Sequence, residues 1–194
     1  AEVEAAVDDA VRSQLVADVE VGLFLSGGVD SSLLAYLASR HQPIRAFTVS
    51  SPGPLDEAKY AKQVAEGVGI DLTVEDVTAA SMIAALDDWV YFNDDPVGDP
   101  SALALMILSR RVSASGLKVV LAGEGADELF GGYFSYARYV LALGAAKICG
   151  PLFADWSVGL DFRLHDYLSQ PDSPYLGSAH VTNARMRQSL LGST

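Results

Sequence analysis

Short apolar runs alternate along this chain with stretches of helical apolar spacing, and the switches between them mark out its elements. Val3, Ala6, Ala10, Val11 and Leu15 fall at three- and four-residue spacing, which predicts an amphipathic helix over residues 2–17. Residues 21–25 form a short apolar run that stops at Ser-Gly-Gly, the pattern of a buried strand. A Leu- and Ala-rich helix is expected over 30–39, and a second strand over 44–49, closed by the turn cluster Ser50, Ser51, Pro52, Gly53. Residues 56–68 read as a helix, 72–77 as a third strand and 79–92 as one more helix, whose Trp89, Tyr91 and Phe92 are expected to pack in the core. A helix over 101–115 ends at Gly116, and a fourth strand over 118–122 is broken by Gly123. Residues 133–146 are again helical in pattern. Beyond Cys149 the prolines Pro151, Pro171 and Pro174 interrupt any long element, so 150–194 reads as helical or irregular.

Apolar strands separated by helices predict an α/β fold: a doubly wound, mostly parallel sheet covered on both faces, with a helical C-terminal part. Residues 1–149 would form the main domain and 150–194 an extension of it. Ligands of such sheets sit beyond the C-terminal strand ends, where the strand order switches. Two glycine-rich turns leave strand ends here, at residues 26–28 and 123–125. If strand four pairs with strand one, both face one cleft.

Charge narrows the partners. The chain has 194 residues, 50% of them hydrophobic, and a formal net charge of −12 from 25 acidic and 13 basic residues. So negative a surface repels nucleic acid, and any anionic ligand needs local compensation. The lone cysteine, Cys149, makes neither an internal disulfide nor a cysteine metal site, and suits a reducing cytoplasm. The acidic first nine residues do not resemble a signal peptide, and no apolar run reaches the ~18 residues of a membrane span. His41, His165 and His180 lack ligand spacing and read as structural.

The first turn carries more polar chemistry than a chain reversal needs. Gly27 and Gly28 remove the Cβ atoms that would keep a ligand from the backbone. The helix behind them presents unpaired N–H groups and the positive end of its dipole, which together make an anion site. Ser26, Ser31 and Ser32 add hydroxyl donors. The plain alternative is a structural turn with Asp30 or Ser31 as helix N-cap. Neither a Walker sequence nor the Rossmann glycine spacing is present. A carboxylate beside a phosphate site is repulsive unless a cation lies between, which marks Asp30 as a Mg²⁺ ligand; otherwise it is a first-turn acid favoured by the helix dipole.

In the second turn Glu124, Asp127 and Glu128 fall within five residues among the glycines Gly123, Gly125, Gly131 and Gly132. Glu124 and Asp127 would point the same way if a helical turn begins there. Such clustered acids suit a metal ligand plus a base, or else a solvated acidic turn. Asp94, Asp95 and Asp99 form a further acidic loop before the helix at 101.

Residues 26–32 resemble the pyrophosphate loop of the ATP-pyrophosphatase (PP-loop) superfamily, whose fold is adenine nucleotide α-hydrolase-like. Residues 123–133 (Gly-Glu-Gly-Ala-Asp-Glu-Leu-Phe-Gly-Gly-Tyr) more narrowly resemble the synthetase domain of glutamine-dependent asparagine synthetases, as do 95–101 and 18–25. The resemblance implies an AMP-forming ligase of the amidotransferase kind. The aspartate side-chain carboxylate attacks the α-phosphorus of ATP, pyrophosphate leaves, and ammonia displaces AMP from β-aspartyl-AMP to give asparagine. It implies Asp30 and Asp127 as Mg²⁺ ligands and Glu124 as the acid that takes a proton from the attacking ammonia. Ser26, Gly27, Gly28, Asp30, Ser31 and Ser32 would hold the pyrophosphate, and backbone at Leu25, Val49 and Gly123 would line the adenosine pocket. Relatives that close β-lactam rings carry tyrosine where Glu124 stands.

The chain departs from that pattern in places. Ala122 replaces a common serine, and residues 69–73 lack a frequent His pair. The glutaminase domain, which needs an N-terminal cysteine, is not in these residues, which open with Ala1, nor is a later Glu-x-Arg-x-Pro-Phe-Leu-Asp segment. The expectation is a piece of a longer protein or a shortened paralogue, with ammonia from a glutaminase domain of the parent or a separate chain. A homodimer stays open, and Arg110, Arg111 and Arg138 are the candidate cations for an acidic acceptor. An amide ligase for another carboxylate and a nucleotide-binding fragment without turnover are the competing functions.

Overall fold

The computed structural model describes residues 2–53, 56–94, 97, 99–134, 136–137, 140–141, 144 and 148. They group into two compact units that divide between Glu124 and Gly125.

In the first unit four strands form one parallel sheet in the order β3-β2-β1-β4, where β1 is Val21–Phe24, β2 Arg45–Ser50, β3 Asp71–Asp76 and β4 Val119–Leu121. Strand four thus pairs with strand one, Gly22 opposite Val120. The order runs outward from β1 through β2 to β3 and returns on the other side with β4, so the switch point lies between the C-terminal ends of β1 and β4.

The side-chain alternation of a strand sends successive residues to opposite faces, and both faces are covered. Val21, Leu23, Leu25, Ala46 and Leu121 pack with α1 (Glu2–Gln14), α2 (Val29–His41) and α3 (Ala58–Val68). Phe47, and Phe24, Val49 and Val120 around it, meet Leu108 and Val112 of α6 (Pro100–Ala114), together with Leu117. This is the doubly wound α/β arrangement. The helix α3 approaches closely because its inner stripe is Ala58, Ala61 and Ala65, all buried.

Two sequence expectations change. Residues 79–92 form not one helix but α4 (Ala79–Ala84) and α5 (Leu86–Asn93). The Ala85 N–H donates to the carbonyls of Ser81 and Met82, a tightened turn that breaks the axis. The α5 aromatics also fail to enter the core: Tyr91 is 76% and Phe92 68% exposed, and Trp89 only half-buried. The reason is position, since α5 packs chiefly on α4 and α6. Of the acidic loop before α6, Asp99 accepts the Ser101 N–H at 2.9 Å and caps that helix, while Asp95 lies outside the described residues. Residues 150–194, with His165 and His180, lie outside them too, as do Arg138 and Cys149. His41 pairs with Asp8 at 2.9 Å, as its structural reading expects.

Among the described residues no helix is long and apolar enough to cross a membrane.

Candidate functional site

The turn after β1 is built by its own hydroxyls. Ser26 Oγ lies 2.9 Å from Ser31 Oγ and accepts the Gly28 N–H at 3.3 Å, while Ser31 donates to the Gly28 carbonyl at 3.2 Å. Ser31 is 7% exposed. These two hydroxyls thus shape the turn from within. Of the serines, Ser32 alone keeps a hydroxyl without such a bond among the described residues.

Gly28, with extended backbone, is the N-cap of α2, and no side chain caps the helix. This overturns the alternative in which Asp30 or Ser31 is the cap. The first intrahelical donor is the Ser32 N–H, bonded to the Gly28 carbonyl at 3.0 Å, so the N–H groups of Val29, Asp30 and Ser31 have no helical acceptor. The start of α2 keeps its donors and positive dipole end for a ligand.

The two glycines divide the work. Gly27 has φ +83°, and a Cβ there would lie 2.6 Å from Tyr60 Cβ and from the Ala61 backbone nitrogen. Its missing side chain makes room for α3. At Gly28 the nearest atom to such a Cβ is Ser26 Oγ, at 3.4 Å, so this glycine leaves the outer side of the turn open. The sequence singled out neither Tyr60 nor the helix that carries it. The alanine stripe at 58, 61 and 65 was the legible signal of a close approach.

The turn after β4 meets the first one. A Cβ on Gly123 would stand 3.2 Å from Asp30 Cβ and 3.2 Å from the Ser31 nitrogen. Gly123 thus lies against the start of α2, and the two turns meet at the switch point. Leu25 is fully buried and donates its N–H to the Phe47 carbonyl at 2.9 Å; Val49 is half-buried near the end of β2. Leu25, Val49 and Gly123 therefore all belong to the C-terminal edge of the sheet.

The acids differ in state. Asp30 is half-buried and Glu124 exposed, and neither makes a side-chain hydrogen bond or ion pair with another described residue. Their oxygens are uncommitted. No group of three or more His, Cys, Asp or Glu converges among the described residues. The Asp30 carboxylate, without a partner among the described residues, is an oxygen donor of the kind Mg²⁺ takes beside phosphates. Glu124 and Asp127 do not share a helical turn, because α7 (Ala126–Phe130) begins after the left-handed Gly125.

Within the second unit, Asp127 Oδ1 occupies the place of a Cβ on Gly132, 1.9 Å from where it would stand, and the Gly132 N–H donates to the Asp127 carbonyl. Gly131, at φ +70°, turns the chain back there. Tyr133 donates to Glu128 at 2.8 Å, and this hydrogen bond to a carboxylate pushes the phenol up to about 12.

Asp56 joins the end of β2 to the start of α3. It accepts the Ala58 N–H at 3.1 Å and the Ser50 hydroxyl at 3.2 Å, and the Ala58 bond first, then the Ser50 bond, hold its carboxyl below the usual range. A depressed folded pKa contributes stability above the unfolded value of about 3.9, and that contribution disappears as pH falls through the folded value. Between about pH 5 and 3 the Tm of the protein should therefore fall more steeply than that of Asp56→Asn, measured by circular dichroism; parallel slopes would remove this role.

Of the three arginines expected to meet an acidic acceptor, the two that are described are paired, Arg110 with Asp88 and Arg111 with Glu75. A cleft of about 600 Å³ lined by Arg40, His41, Arg45 and Asp71 opens at the N-terminal ends of β2 and β3, the opposite edge from these turns.

A family model described as asparagine synthase matches residues 2–189. A provisionally named glutamine-hydrolysing asparagine synthetase of Mycobacterium tuberculosis (strain ATCC 25618 / H37Rv) is 42% identical over 137 residues, covering 70% of this chain and 21% of that protein. Asparagine synthetase [glutamine-hydrolyzing] 1 of Bacillus subtilis (strain 168) is 36% identical over 137 residues, covering 70% and 22%. Among solved structures, the NH3-dependent NAD synthetase of Campylobacter jejuni is similar with a TM-score of 0.46 and 17% identity, over 68% of this chain and 59% of that one. The chain spans about a fifth of the length of these curated relatives.

Proposed function

From the premise that the chain belongs to the asparagine synthase family, we propose that its first unit activates a carboxylate with ATP for amide formation, the acceptor being the aspartate side chain and the product asparagine. The observation that carries this is the approach of Gly123 to Asp30 and Ser31. It brings the uncapped start of α2 and the acid Glu124 to one end of the sheet.

A carboxylate is a poor acylating agent until it gains a leaving group. Its oxygen attacks the α-phosphorus of ATP, the bond to the bridging oxygen breaks, and pyrophosphate departs with the electron pair. The donors of Val29, Asp30 and Ser31 and the hydroxyl of Ser32 bind that diphosphate as its charge grows. A Mg²⁺ ion held by Asp30 would supply further charge neutralisation at the phosphates. Backbone at Leu25, Val49 and Gly123 receives the adenosine. Ammonia then attacks the acyl carbon, AMP leaves, and Glu124 takes the surplus proton. A glutaminase domain, in the parent protein or a separate chain, is the proposed source of ammonia.

Isotope exchange between ATP and pyrophosphate tests the first half. Exchange that requires aspartate supports the reading; exchange that requires a different acid transfers it to another amide ligase; nucleotide binding without exchange leaves a binding module. The second half rests on Glu124. The substitution Glu124→Gln should keep exchange within about threefold of the wild type while amide formation falls by roughly 10²-fold or more. Equal losses in both would remove Glu124 from proton transfer.

A further inference from the structure

The turn at residues 26–32 has to receive a polyanion on a chain of formal charge −12, beside the uncommitted carboxylates Asp30 and Glu124. Backbone donors alone face that repulsion, so the positions of the cations matter. Among the described residues, Arg12 is paired with Asp9, Arg45 with Glu20, Arg110 with Asp88 and Arg111 with Glu75. Lys62 acts on the charge of Asp56. Arg40 lies over Tyr36 in the last turn of α2, remote from the turn that opens this helix, and Lys118 precedes β4 at the opposite edge of the sheet.

Lys59 remains. Its Nζ stands 4.7 Å from the centroid of the Tyr60 ring. Tyr60 is the residue whose Cβ and backbone press on Gly27, 2.6 Å from where a Cβ there would sit. The ammonium is therefore held on the ring of the residue that abuts the turn, and it makes no ion pair with a described carboxylate. A ring within about 6 Å attracts a cation modestly and leaves its N–H donors exposed to solvent. Such a cation is positioned in advance and costs little to redirect to an incoming phosphate.

We propose that Lys59, poised on Tyr60, is the side-chain cation that receives the β- and γ-phosphates of ATP at this turn. The proposal rests on the reading of the turn as an ATP site and adds a specificity element to it: Lys59 distinguishes nucleotides that carry a diphosphate tail from those that do not. It touches neither the adenosine nor the acyl acceptor.

The test is isothermal titration of the full 194-residue chain and of its Lys59→Ala and Lys59→Arg variants with MgATP, inorganic pyrophosphate and AMP. Loss of one charge near the surface should weaken MgATP and pyrophosphate by roughly tenfold in Lys59→Ala. AMP should stay within about twofold, and Lys59→Arg should recover most of the loss. The salt dependence of MgATP binding should also become shallower in Lys59→Ala. Unchanged MgATP affinity in Lys59→Ala overturns the proposal, and so does an equal loss for MgATP and AMP, which indicates a packing role. Failure of the wild-type chain to bind MgATP is a different result, because it removes the ATP reading itself and the role of Lys59 with it.

Discussion

Replacing Gly27 by alanine is expected to lower the unfolding free energy by about 2–5 kcal/mol and to abolish nucleotide binding, whereas Gly28→Ala keeps the fold within about 0.5 kcal/mol of the wild type. Two costs add at Gly27. Its φ of +83° lies in the left-handed region, where a Cβ costs about 1–2 kcal/mol. The new methyl would also sit 2.6 Å from Tyr60 Cβ and the Ala61 nitrogen and 2.7 Å from the Tyr60 carbonyl carbon. Most of these are backbone or Cβ atoms of α3 and cannot swing aside, so the turn or the helix has to move, an overpacking cost of about 1–3 kcal/mol. Either displacement also moves the donors at the start of α2. Gly28 has φ −69° and no atom nearer than 3.4 Å to its virtual Cβ, so it pays neither cost. Urea unfolding of the two variants, followed by MgATP titration, decides the matter; equal stability of the pair would show that the contact with α3 is not what requires Gly27.

The second large effect falls on chemistry and spares the fold. Asp30→Ala should reduce ATP–pyrophosphate exchange by about 10³-fold or more, since a lost metal ligand removes several kcal/mol of charge stabilisation at about 1.4 kcal/mol per decade. Stability should change by less than about 1 kcal/mol, because only a first-turn dipole interaction is lost, and Asp30 has no side-chain partner among the described residues. Retained exchange with a small drop in Tm would assign Asp30 to the helix dipole alone. Raising the Mg²⁺ concentration should partly restore Asp30→Asn if the carboxylate acts through the ion.

Much of the arrangement was legible in the chain because it is local. Short apolar runs and helical spacing placed the four strands and the main helices near their observed ends, and the polar residues crowded between β1 and α2 marked the turn. The misreadings came where neighbours from elsewhere decide. Tyr91 and Phe92 have the composition of core residues, yet α5 lies on other helices and leaves them exposed. The missing Cβ of Gly27 was legible as access for a ligand but not as room for Tyr60.

By itself the sequence determined the α/β class, the sites of the two glycine-rich turns and the kinds of group each one carries, because periodicity and turn chemistry are properties of neighbouring residues. The pairing of β4 with β1, and with it the approach of Gly123 to Asp30, was decided only in three dimensions. Strand order depends on which apolar faces are buried together after the long crossing through α6, and no local period records that choice. The same holds for Lys59, whose charge is visible in the chain but whose place beside the turn follows from the packing of α3 on Gly27.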